Sequence, residues 1–173
     1  STSPGGITTK SVTVPAYTKY SELGPKGLAS TNKNMLSQET AQYVYRTDAS
    51  GSVTGLISGS VITWNKDWLY RSYSSTTGTH ENVTEGPGVW RKNKSYVWIG
   101  DVTRQKTDGT HTFSPSDEFA FGLGASNPGW KYVSETKQYD HHTNPVETKD
   151  YKDMFSSSKF GYENRIVIAE ASN

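Results

Sequence analysis

Residues 61–101 read VITWNKDWLYRSYSSTTGTHENVTEGPGVWRKNKSYVWIGD and hold four of the chain's five tryptophans, Trp64, Trp68, Trp90 and Trp98. Tyr70, Tyr73 and Tyr96 lie among them. A buried aromatic side chain removes about 150–250 Å² from water, so a segment this dense in rings must supply much of any core. Near its end the pattern has a period of two, with Tyr96, Trp98 and Gly100 set against Val97, Ile99 and Asp101. That is the period of a strand and not of a helix. The segment is therefore expected to form the central strands of a sheet.

The rest of the composition agrees. Aliphatic residues are scarce, while Ser, Thr, Gly, Asn and Tyr are abundant, a palette suited to strands and turns and poor for helices. At 173 residues the chain is long enough for a core without covalent staples. It has no cysteine, which excludes disulfides, thiolate metal sites and a cysteine nucleophile. With 18 basic and 17 acidic residues there is no broad electrostatic attraction to nucleic acid or to an anionic membrane, and no nucleic-acid partner is expected. No apolar run is long enough for a transmembrane helix. The composition and the first residue, Ser1, lead us to expect a mature secreted or cell-surface protein.

Residues 1–9 are rich in Pro, Gly and Thr and read as a flexible arm, leaving 10–173 as one domain. Pro15 marks an edge strand, because proline removes a ladder donor. Ser37 is read as the cap of at most a turn of helix through Glu39–Gln42, after which a strand is expected to end at Thr47, followed by a turn at Asp48-Ala49-Ser50-Gly51. Gly55 and Gly59 interrupt the next strand and point to a bulge or a close backbone approach. Trp68 to Tyr73 should pair back on that strand as a hairpin, and 74–87 should be an exposed loop. Lys92-Asn93-Lys94 reads as a tight turn, and Asp108-Gly109 carries the strongest hairpin signal. Asn144-Pro145-Val146-Glu147 reads as a capped helix start, predicting a helix to about Phe155. The run 165–169, RIVIA, reads as a strand buried on both sides. The expected fold is all-β: an antiparallel two-sheet β-sandwich of about seven to ten strands with one short C-terminal helix.

Chemistry-bearing motifs are sparse. Asp140, His141 and His142 form the best metal-ligand cluster, with His80 as a conceivable further ligand, although no spacing matches an established metal motif. No catalytic residue is singled out and no cofactor is implied, for the chain lacks a G-x-S-x-G, a Walker A and a G-x-G-x-x-G. The aromatic set suggests recognition. Trp68, Tyr70, Tyr73 and Trp90, with His80, Glu81 and Arg91, are expected to border the polar loop as a binding surface. The ligand would be a glycan, a cell-wall component or a protein. Residues 50–63, small polar residues alternating with single apolar ones, resemble the membrane-inserting hairpins of β-pore toxins. That resemblance implies a secreted membrane-active toxin, with Val53, Ile57 and Val61 on one face. A small metal-dependent or hydrolytic enzyme is a third expectation. The oligomeric state is not legible.

Overall fold

The computed structural model describes residues 8–84, 89–100, 117–122, 126–140, 142–161 and 166–172. Its strands are β1 (Thr8–Pro15), β2 (Glu39–Thr47), β3 (Val53–Asn65), β4 (Leu69–Ser74), β5 (Thr79–Thr84), β6 (Arg91–Trp98), β7 (Trp130–Asp140), β8 (Pro145–Asp150), β9 (Phe155–Gly161) and β10 (Ile166–Ser172). Two 3-10 turns, Ala16–Thr18 and Ser21–Leu23, follow β1. The fold is all-β, as the composition predicts. The strands run in one antiparallel sheet in the order β1-β2-β3-β6-β7-β8-β9-β10, with β4 and β5 off that path. This single sheet replaces the two separate sheets expected. A sequence shows which residues favour strands, but the choice of neighbour rests on long-range pairing.

The chain forms two compact units, Ser1–Thr63 with Tyr96–Tyr132, and Trp64–Ser95 with Val133–Asn173. In the first, β1 pairs with β2 as an edge strand, and the register shifts between Val14 and Pro15. The Asp48 carboxylate accepts from the amides of Ser50 and Ser52, and Gly51 closes the turn at φ +84°. Register shifts between β2 and β3 fall beside Tyr45 and Thr47. They change which side of β3 faces inward, so Leu56 and Val61 are both buried while Ile57 is exposed. The expected apolar face of Val53, Ile57 and Val61 is thereby broken. Gly59 is the close approach: a Cβ there would lie 2.6 Å from the Trp130 ring. Ala41, Tyr43, Tyr45, Leu56, Val61, Phe119 and Trp130 make this unit's core.

Other local expectations are corrected. Residues 74–87 are not one loop, because β4 and β5 form a hairpin with Leu69 opposite Thr84 and Ser74 opposite Thr79. β4 does not pair with β3; its other contact is a short parallel pairing with β7. Asn65 explains the departure. Its side chain accepts from the Lys66 amide and donates to the Asp67 carbonyl, and its carbonyl receives the Trp68 indole N–H at 2.9 Å. The turn thus seats Trp68 in a core of its own instead of returning the chain along β3. Lys92-Asn93-Lys94 lies inside β6 and makes no turn. The Asp108-Gly109 hairpin lies outside the described residues.

The C-terminal helix is also absent. Residues 145–150 are β8, and 155–161 are β9. Asn144 is no helix cap; its amide and side chain both donate to the Asp140 carboxylate. Asp150 makes the next reversal by accepting from the amides of Lys152 and Met154. Side-chain acceptors at both ends, with β-favouring Val146 and Thr148 between them, outweigh the local helix signal.

Candidate functional site

Four of the residues singled out by sequence come together in the second unit. The short parallel pairing sets Tyr70 beside Tyr139 and Arg71 beside Asp140. Arg91, at the start of β6, lays its guanidinium over both phenol rings, 4.7 Å from the centroid of Tyr70 and 5.3 Å from that of Tyr139. It also hydrogen-bonds the Tyr70 hydroxyl. Trp68 meets Tyr139 edge-on at 4.8 Å, and the Tyr139 hydroxyl donates to the Lys92 carbonyl at 2.7 Å.

This assembly is a core and not an open platform. Trp68, Tyr70 and Arg91 are 6%, 1% and 6% exposed. No ring face of Trp68 or Tyr70 is available to a ligand, contrary to the expected surface. Burial pulls the Arg91 guanidinium below its ordinary pKa, against the attraction of Tyr139 and Asp140. Burial raises the Tyr139 phenol, and Thr136 and Arg91 oppose the rise. The Arg91 Nε is buried without a hydrogen-bond partner. The cation is therefore held mainly by the two ring faces and one hydroxyl, an arrangement that aligns β4, β6 and β7 at their ends.

The remaining candidates divide. Trp90 is half-buried, with the Lys66 ammonium 5.7 Å from its ring centroid. Tyr73 and His80 are backbone partners in the β4–β5 register. Glu81 is exposed and accepts from the Thr77 hydroxyl at 2.6 Å. Asp140 is buried, and its two carboxylate oxygens take the amides of His142 and Asn144 and the Asn144 side chain, at 2.9–3.0 Å. This carboxylate organises a loop. His142 is exposed, and His141 lies outside the described residues. Among the described residues no three His, Asp or Glu side chains converge on a point where a metal ion could sit.

Sequence reasoning missed an open apolar feature among the described residues. Among the described residues β10 ends the strand order of the sheet, and every residue of Ile166–Ser172 is exposed. Ile166, Val167 and Ile168 are 54%, 43% and 50% accessible. At the β8–β9 turn Tyr151, Met154 and Phe155 are exposed as well. The apolar run was the available signal, but its length suggested burial. The fold thus defines a class, an all-β sheet protein with one sealed cation–aromatic cluster and one open apolar hairpin. Comparison with protein-family models, with curated proteins and with solved structures finds no match to this chain.

Proposed function

We propose that the chain is a non-catalytic recognition module, working outside the cell, whose ligand is a protein bound along the β9–β10 hairpin. The observation that carries this reading is β10, an exposed aliphatic strand at the end of a sheet. A terminal strand offers a row of backbone donors and acceptors, and an extended segment of a partner can add to it. Aliphatic side chains around that edge suit another polypeptide better than a sugar, which is held through ring faces and polar groups. A glycan or cell-wall ligand loses support because Trp68 and Tyr70 are sealed, leaving Trp90, Glu81, Tyr73 and His80 as its residues.

Selection from a library of extended apolar peptides, run beside a glycan array, tests the reading. Peptides should bind the wild type and lose binding to Ile168→Lys. Glycans bound equally by both proteins, with no peptide selected, would reject it.

A membrane-active role is the second reading, favoured by the β8–β9 turn. Tyr151, Met154 and Phe155 are exposed there, and the Lys152 ammonium lies 5.6 Å from the Tyr151 ring centroid. Aromatic and apolar tips beside lysines suit the bilayer interface. Dye release from anionic vesicles, lost in Phe155→Asp, would support it; intact vesicles would exclude it.

A further inference from the structure

We infer that the partner of the β10 edge is a second copy of this chain, giving a closed dimer through antiparallel β10–β10 pairing. The inference rests on the protein-recognition reading and names its partner.

The two ends of the sheet are built differently. β1 carries Lys10 and ends on Pro15, two devices that blunt strand addition. β10 has neither lysine nor proline, and its one charge is Glu170. Its only irregularity is a bulge between Val167 and Ala169, which leaves Ile168 out of the ladder with β9. The Ile168 side chain covers Gly161, where an added Cβ would come within 2.9 Å of it. This packing holds the aliphatic end of β10 in place while half of Ile168 stays open.

Charge permits self-pairing. β9 brings Lys159 and β10 brings Glu170, so the described hairpin strands are neutral and two copies do not repel. The open apolar surface bounds the area that such a contact can bury. Six half-open side chains, at positions 151, 154, 155 and 166–168, leave roughly 500 Å² of apolar surface on each copy. Two copies together reach roughly 1,000 Å², the lower end of specific interfaces. With β1 blunted, a head-to-tail β10–β1 contact, which would propagate into open chains, is disfavoured. The β10–β10 contact is isologous and closes at two.

Light scattering coupled to size exclusion, from dilute to concentrated protein, tests this directly. The expected result is a monomer–dimer equilibrium that Ile168→Lys weakens by more than about tenfold. Far-UV circular dichroism should be unchanged, since half of the Ile168 side chain is exposed and the methylene stem of Lys can keep Gly161 covered. Ser11→Lys on β1 should leave the dimer intact. Hydrogen exchange of wild-type β10 amides gives a second readout free of any variant: protection should rise with concentration. A wild type that stays monomeric throughout, or a dimer lost with Ser11→Lys and kept with Ile168→Lys, overturns the inference. If the monomer still binds selected peptides at β10, self-association fails and protein recognition stands. If it binds none, both fail.

Discussion

The two units solve the same problem, sealing aromatic rings with few aliphatics, in opposite ways. In the first, ring packs on ring. Trp130 meets Tyr43, Trp98 and Phe119 at centroid distances of 6.0, 5.6 and 5.6 Å, all steeply inclined, and its indole donates to the Asp117 carbonyl at 2.8 Å. The Tyr45 hydroxyl likewise donates to Glu118 at 2.5 Å, and among the described residues of this unit the buried side-chain atom without a partner is the Thr47 hydroxyl, which belongs to no ring. In the second, a charged guanidinium takes the place of a ring between Tyr70 and Tyr139, and one of its donors is left bare. The first arrangement draws its stability from area and edge-to-face contact. The second spends part of that gain on desolvating a cation. The comparison teaches that aromatic density alone does not rank cores; the satisfaction of the polar atoms brought in with the rings does.

The comparison can be broken most directly at Trp130. Trp130→Ala should cost about 3–5 kcal/mol, since it empties the centre of the first core and orphans a buried carbonyl. Urea unfolding measures this. A loss under 1 kcal/mol, on the order of a surface change, would mean that the ring cluster is not what holds the first unit.

Alkaline titration sharpens it next. Burial pushes the Tyr43 phenol up to about 12, with the Phe119 backbone opposing and Glu118 assisting. Tyr45 is pushed higher still, by burial first and then by its bond to Glu118. In both, the folded state holds the proton more tightly than the unfolded chain, whose phenols titrate near 10. The stabilisation is therefore complete below about pH 10 and is lost as pH rises toward 12 and beyond, by about 2–3 kcal/mol for Tyr43 alone. Phenolate absorbance at 295 nm, followed with unfolding, checks it. Tyr43→Phe should flatten the loss; an unchanged slope would remove burial as its cause.

The smallest effect is expected at Arg91. Arg91→Met keeps the length and removes the charge with its bare Nε, but takes the partner from the buried Tyr70 hydroxyl, so stability should fall by only about 1–2 kcal/mol. A loss as large as that of Trp130→Ala would show that the cation holds the second core as firmly as the ring holds the first.

Much of the strand content was legible from local pattern. Residue preference and turn signals placed strands at β1, β2 and β3, although β2 also takes Glu39–Gln42, read as a helical turn, and Asp48 to Gly51 turned as its residues require. Gly59 was legible as a close approach, though not the ring it approaches. The candidate site was legible only as a set of residue types. Trp68, Tyr70, Arg91 and Asp140 do assemble, but as a sealed cluster, because whether a ring faces water depends on the strand laid beside it. That strand, β7, lies some sixty residues farther along the chain than β4.

By itself the sequence determined that this is an all-β, cysteine-free, aromatic-rich chain with near-balanced charge, since propensity and composition act over a few residues and need no partner. The folded structure decided the rest, through strand pairing with distant residues and through side-chain hydrogen bonds that close over three or four residues. Bulges against β2 turned Leu56 and Val61 to the same side of β3, and Asn65 led β4 away from β3. Asp140 and Asp150 captured the amides that a helix would have used. The run from Ile166, which by composition belongs at the centre of a sheet, stands at its edge. In each case the local preference was real but worth at most about a kilocalorie, and either strand pairing with distant residues or a side-chain hydrogen bond closing over three or four residues outweighed it.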